Sequence, residues 1–234
     1  MGRRSVRSPD PTLDLSHHLR VLDEWAPVDG DRPCSVTDWI SGPAPLEIEV
    51  GSGKGLFLVS AARRAPHGQF LGIELAARYA RHAAGRLAAA GLDNGRIVQG
   101  DAKRFLRDCV PSDTIAAVHV YFPDPWWKKR HKKRRVLDVA FLRDVERVLA
   151  PRGRFHFWTD VREYFDSTLD LVRLETGLEG PHPVDERPAE HDLDYRTHFE
   201  RRTRLGGQRV HRCWYGKAGD GPDASADQRA DDCS

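Results

Sequence analysis

Five carboxylates stand where five apolar runs end: Glu49 in LEIEV, Glu74 closing QFLGIE, Asp101 after RIVQG, Asp124 after VHVYFP, and Asp160 closing RFHFWTD. Singly, each could be a solvated loop acid or the cap of the next helix. Together on one rim they would form a negative site suited to a cationic, hydroxyl-rich ligand. Between the first two lies EVGSGKG (49–55), a glycine-rich turn of the kind that lets a ligand approach backbone N–H groups. The dinucleotide fingerprint wants glycine at its first, third and sixth places, but here the sixth place is Leu56 and the third glycine comes early, at Gly55. A Walker phosphate loop is also excluded, because Lys54 lacks the spacer before it and the Ser or Thr after it. Glu74 follows Gly51 by 23 residues. That is close to the ~20 at which an acid reaches a ribose hydroxyl pair in nucleotide-binding α/β folds.

The second chemical constellation is YFPDPWWKKRHKKRR (121–135). Its two prolines restrict the movement of Asp124, and Trp126 or Trp127 offers a flat ring for a base, with one of the pair expected to pack under the loop. Behind them come Lys128, Lys129, Arg130, Lys132, Lys133, Arg134 and Arg135. Such a run is often only a solvated face, but beside the acidic rim it is placed to attract nucleic-acid phosphates. His131 reads as another phosphate neighbour. No Cys/His spacing suits a metal, and none is expected.

These side chains need a scaffold that brings strand ends together. Short apolar runs predict strands at 46–50, 69–74, 96–101, 114–122 and 154–160, and helical periodicity predicts helices over 56–64, 76–91, 102–109 and 139–150, the last stopped by a Pro151–Gly153 turn. Strand and helix alternation implies a doubly wound α/β fold with a mostly parallel sheet, and QRVHRCWYG (208–216) adds an antiparallel C-terminal strand. Ligands of such sheets bind outside the carboxyl ends of the strands, where all five acids fall.

Composition sets the outer bounds. The 234 residues are 39% hydrophobic, enough for one domain with a real core, here placed at 43–216 behind an irregular 1–42 extension. Net charge is only +2, yet from Lys217 onward two basic residues face five aspartates, leaving the tail at −3 and the remainder at +5. The small, polar 217–234 tail reads as disordered. Cys34, Cys109, Cys213 and Cys233 are far apart and read as reduced thiols of a cytoplasmic protein. No apolar run approaches the ~20 residues that span a bilayer, so no membrane partner is expected. Oligomeric state is not legible.

The spacing of the glycine loop resembles the first motif of S-adenosylmethionine-dependent methyltransferases, whose sulfonium and ammonium suit an acidic site. More broadly, IEVGSGKG, FLGIEL, QGDA, YFPDPWWKKRHKKRR, HFWTD and THFE (197–200) together resemble the bacterial tRNA (guanine-N7-)-methyltransferase family over about residues 45–216. The resemblance implies a Rossmann-like methyltransferase fold that methylates N7 of a guanine in the variable loop of tRNA, with S-adenosylmethionine as methyl donor. By motif position it implies cofactor contacts from Glu49, Gly51, Gly53, Gly55, Glu74, Asp101 and Asp124, with Asp124 also catalytic. It implies substrate contacts from Lys128, Asp160, Thr197, His198, Phe199 and Glu200. Guanine N7 carries an exposed lone pair, so no strong base is required, and alignment is the expected source of catalysis. Two rival readings are a related methyltransferase acting on a small guanine-like metabolite, which would have no need of the 128–135 block, and a non-catalytic RNA-binding protein, which would have no need of an intact cofactor loop.

Overall fold

The protein is described here from a computed structural model, which covers residues 9–26, 34–126, 130, 134–186 and 195–219. Eight strands form one sheet: β1 (Leu19–Val21), β2 (Leu46–Val50), β3 (Gln69–Glu74), β4 (Gly95–Gln99), β5 (Ile115–Tyr121), β6 (Leu149–Thr159), β7 (Glu179–Pro183) and β8 (His211–Gly216). The helices are α1 (Leu22–Trp25), α2 (Leu56–Arg64), α3 (Ala77–Ala89), α4 (Ala102–Cys109), α5 (Val139–Val148), α6 (Arg162–Glu175) and α7 (His198–Leu205). No helix among the described residues is long and apolar enough to cross a membrane.

The strand order is β1-β4-β3-β2-β5-β6-β8-β7. Strands β1 to β6 pair in parallel, while β8 pairs antiparallel with both β6 and β7. The chain walks outward from β2 through β3 to β4, then returns to lay β5 against the other side of β2. That reversal leaves a crevice at the carboxyl ends of β2 and β5, the position at which such sheets take their ligands.

Both faces of the sheet are covered. Ile48 and Val50 point into the larger core with Phe105 of α4, Phe141 of α5 and Tyr164 of α6. On the other face, Phe57 and Leu58 of α2 meet α3, whose Ala80, Ala83, Ala84 and Leu87 recur at helical spacing and are fully buried. Gly55, at φ 68°, starts α2 so close to α3 that a Cβ there would lie 2.8 Å from Ala83 Cβ.

Four features differ from the sequence expectation. The N-terminal stretch, read as irregular, supplies β1, which extends the sheet beside β4, and its Leu22, Val36 and Ile40 enter the larger core. Cys34 and Cys109, read as thiols, form a disulfide across 75 residues, because the N-terminal segment is laid beside the end of α4. Cys213 is a buried free thiol, and Cys233 lies outside the described residues. The Pro151–Gly153 turn is an excursion inside β6, since Leu149 already pairs with Ile115 before pairing resumes at Ala117 with Arg154. Lys217, assigned to the acidic tail, is anchored: its Nζ donates to the carbonyls of Glu146 and Leu149, each at 2.8 Å, and to Asp113 at 2.7 Å. Residues 220–234 lie outside the described residues.

Candidate active site

The glycine loop leaves β2 with Gly51, Gly53 and Gly55 all at positive φ. Gly51, which lines the crevice, has φ 79° and open space where a Cβ would stand, and Gly53, at φ 52°, likewise has nothing within 4 Å of that position. Glu74, from the end of β3, pins that loop: its Oε2 accepts from the Gly53 N–H at 2.8 Å and its Oε1 from the Ala76 N–H at 2.8 Å. Asp101 caps α4, its Oδ1 accepting from Lys103 N at 2.8 Å and Arg104 N at 3.3 Å. Gly51, Glu74, Asp101, Tyr121, Phe122 and Asp124 all border one cleft of about 480 Å³, with Leu75 and Trp126 among its apolar walls.

Glu49 directly precedes Val50 and Gly51, which line this cleft, and is buried beside it. It is 2% exposed, and its Oε2 has no hydrogen-bond partner among the described residues. Burial, reinforced by the neighbouring Glu74 charge and only partly opposed by Ser52, pushes its carboxyl up to about 8. It is thus an acid without a counter-charge among the described residues, at the foot of the glycine loop.

Asp124 stands exposed on the opposite lip. The turn that carries it is tightly fixed. Phe122 N–H donates to the Trp158 carbonyl at 2.8 Å, and Arg135 Nε donates to the Pro125 carbonyl at 2.8 Å. Phe122 and Trp126, on either side of Pro123–Pro125, adopt φ values of 51° and 44°, which bulky residues rarely hold. Such backbone persists only where its surroundings over-determine it.

The basic block divides. Arg135 turns inward, its guanidinium 4.5 Å from the Tyr164 ring centroid, and so braces the turn. Arg134 is exposed at the cleft edge and stacks 5.2 Å over Trp126. Arg130 is also exposed. Lys128, Lys129, Lys132 and Lys133, with Trp127 and His131, lie outside the described residues.

The THFE segment opens α7. Thr197 Oγ1 accepts from Glu200 N at 3.0 Å, which is an N-cap. Glu200 is 2% exposed and accepts from Arg196 N at 2.7 Å, Arg204 Nη1 at 3.3 Å and Arg212 Nη2 at 3.2 Å. Its oxygens are therefore committed to holding α7 against β8. Phe199 is the outward member, 37% exposed, with its ring 4.9 Å from Phe122 and the Arg202 guanidinium stacked on it. Asp160 is half-buried after β6. The His198 backbone begins α7, and its side chain is outside what is described.

Sequence reasoning missed a polar layer on the same sheet face as Glu49. Glu47 Oε2 meets His119 Nε2 at 2.8 Å, His119 Nδ1 meets the Tyr121 hydroxyl at 2.9 Å, and the His156 ring stacks on His119 at 4.8 Å. Burial pushes both imidazoles below their ordinary range. Burial pushes the Glu47 carboxyl up, but His119 with the Arg196 and Arg154 charges brings it below its usual value. The signal was present as polar residues alternating within apolar strands: Glu47/Glu49, His119/Tyr121 and His156/Trp158. Among the described residues no group of His, Cys, Asp and Glu could hold a metal ion.

Residues 43–213 match the protein family described as "Putative methyltransferase". The chain is 43% identical over 225 residues to a tRNA (guanine-N(7)-)-methyltransferase of Rhodopirellula baltica, covering 93% of this chain and 80% of that one. The chain belongs to the tRNA (guanine-N(7)-)-methyltransferase family. A second member of the family, from Aeromonas hydrophila subsp. hydrophila, is 33% identical over 192 residues, covering 80% of this chain and 81% of its own. Among solved structures, a SAM dependent methyltransferase from Aquifex aeolicus shares the fold, with a TM-score of 0.52 at 13% identity over 75% of this chain and 84% of that one. The donor set of the cleft suits a cationic nucleoside: the Gly51 backbone on its wall, the acids around it and the orphaned Glu49 oxygen beside it.

Proposed function

We propose that this methyltransferase transfers a methyl group from S-adenosylmethionine to N7 of a guanine in the variable loop of tRNA. The observation that carries the proposal is the single cleft in which the glycine loop and its acids face the Pro123-Asp124-Pro125 turn, with Arg134 at its edge. The cofactor supplies the electrophilic methyl group. The chain's own residues bind, align and neutralise.

Glu74, already oriented by the Gly53 and Ala76 amides, is placed for a ribose hydroxyl pair, and Asp101 with the exposed Leu75 for the adenine. Asp124 holds the guanine edge and offsets the positive charge that the purine acquires, which is electrostatic stabilisation from a fixed turn. The Phe122–Phe199 pair offers a stacking wall for a splayed base. Glu200 serves as a positioning residue for that wall, and Asp160 remains free to approach the substrate. Arg130, Arg134 and the lysines of 128–133 attract the tRNA backbone. Action on tRNA places the protein in the cytoplasm.

Methyl transfer to unmodified bulk tRNA, followed by nucleoside mass spectrometry, tests the proposal. 7-Methylguanosine formed by the wild type and not by Asp124→Ala is expected. Transfer to a free guanine nucleoside but not to tRNA would overturn it.

A further inference from the structure

The acids of the cleft differ in what neutralises them. Glu74 is stabilised by two backbone amides and Asp101 by the start of α4. Glu49 has no such support. The groups that face it are Glu74 from β3, a like charge, Ser52 from the loop, a neutral hydroxyl, and Tyr121 from β5, whose phenol is itself pushed above its ordinary range by burial. Among the described residues no cation acts on Glu49. The arginine of the polar layer, Arg196, acts on Glu47, His119, Tyr121 and His156 instead. A buried carboxylate with one unpartnered oxygen and only a like charge beside it cannot hold its own charge at low cost. What would complete it is a positive group arriving from the cleft above, and the cofactor carries two, a sulfonium and an α-ammonium.

We infer that Glu49 keeps a proton in the free protein and releases it to solvent as a cationic group of the cofactor docks over it, making cofactor capture proton-linked. This inference rests on the cofactor reading above. In balance, a neutral carboxylic acid and a ligand cation become a carboxylate–cation pair plus one hydrated proton, with no other bond made or broken. Glu49 is then the residue that reads the amino-acid end of the ligand. A nucleoside without a positive charge gains nothing from it.

Calorimetry of the full chain tests this with three ligands: S-adenosylmethionine with both cations, S-adenosylhomocysteine with the ammonium alone, and 5′-methylthioadenosine with neither. Titrations between pH 6 and 7, where the ammonium stays charged, are run in buffers of different ionisation enthalpy to count protons. About one proton released per S-adenosylhomocysteine, with affinity rising close to tenfold over that interval, is the expected result. Methylthioadenosine should release none. In Glu49→Gln, release should vanish and the pH profile should flatten, while the wild-type buffer dependence stands as a measurement that needs no variant. Release with S-adenosylmethionine alone would support the linkage and name the sulfonium as partner. Binding of both charged ligands with no proton release beyond that of Glu49→Gln would overturn the inference alone. Failure of all three to bind at any pH would overturn the cofactor assignment and the inference with it.

Discussion

Gly53 and Gly55 are two residues apart in the glycine loop, both at positive φ, yet substitution should affect them in opposite ways. At Gly53 an added Cβ meets nothing within 4 Å, so Gly53→Ala carries only the cost of a left-handed backbone, about 1–2 kcal/mol. At Gly55 the same backbone cost applies, and the new methyl would in addition sit 2.8 Å from Ala83 Cβ and 3.3 Å from Ala83 Cα. Neither neighbour is the far end of a flexible side chain, and Ala83 is fully buried, so α2 and α3 must separate. Overpacking of that kind adds about 1–3 kcal/mol, giving roughly 2–5 kcal/mol in all. Urea unfolding of the free protein at neutral pH reads the stability term, and calorimetry with S-adenosylhomocysteine reads the binding term. Gly55→Ala should be the less stable by at least about 1 kcal/mol, whereas Gly53→Ala should lose no more than about 1–2 kcal/mol, the cost of its backbone, and, because its N–H orients Glu74, should weaken cofactor affinity. Equal stability of the two variants would refute the argument that Gly55 is a packing glycine and Gly53 is not.

Other consequences are equally open to measurement. Because burial raises the Glu49 carboxyl to about 8 from an ordinary 4.5, the folded state holds a proton that the unfolded state has shed, and stability falls as pH rises between those values. Relative to Glu49→Gln, the ligand-free wild type should lose on the order of 1.4 kcal/mol per pH unit from pH 5 to 7.5 in urea titrations, and parallel curves would refute this. His119 and His156 run the other way: their folded pKa values are depressed below 6.5, so stability is complete above that pH and is lost as pH falls below it, an effect that a histidine-free layer, His119→Gln with His156→Gln, should remove. Glu200→Ala leaves the nearly buried Arg212 with the exposed Glu186 as its one carboxylate partner among the described residues, and should cost about 3 kcal/mol, with Glu200→Gln recovering part; unaltered thermal melting would count against the buried pairing.

The elements that position the site were largely legible. Strands 46–50 and 69–74 and helices 56–64 and 102–109 run as read, because glycine, aspartate and apolar periodicity mark their ends. β1 was not legible, since three residues, LRV, with an arginine in the middle and Pro- and Asp-rich flanks, carry no period. The disulfide was hidden for the same reason that any contact across 75 residues is hidden: spacing says nothing of it. The acids of β2 were misleading in a more instructive way. In LEIEV the alternation suggests a face turned to water, but a parallel sheet is covered on both faces, and Glu49 is buried by α2 and the loop above it. The T-x-x-E spacing of Thr197 and Glu200 was readable as a helix-capping signature, and the structure uses it so.

The recurrence of acids at strand ends therefore has a cause that neither the capping view nor the ligand view supplies alone. Asp101 and Glu74 do cap or pin backbone, and by doing so they are held at fixed points on the cleft wall, with lone pairs left over for hydroxyls or an amino group. Asp124 is held by the opposite strategy, with no ion pair among the described residues but with strained residues on both sides and a carbonyl clamped by Arg135. Glu49 is given no solvent, and its Oε2 no partner among the described residues. A rim whose acids were merely solvated would have no reason to invest this much local structure in their orientation, and a rim whose acids were merely structural would not leave the most deeply buried one uncompensated. The combination makes sense if the missing charge arrives with the cofactor, so that the free protein bears a local instability that binding removes.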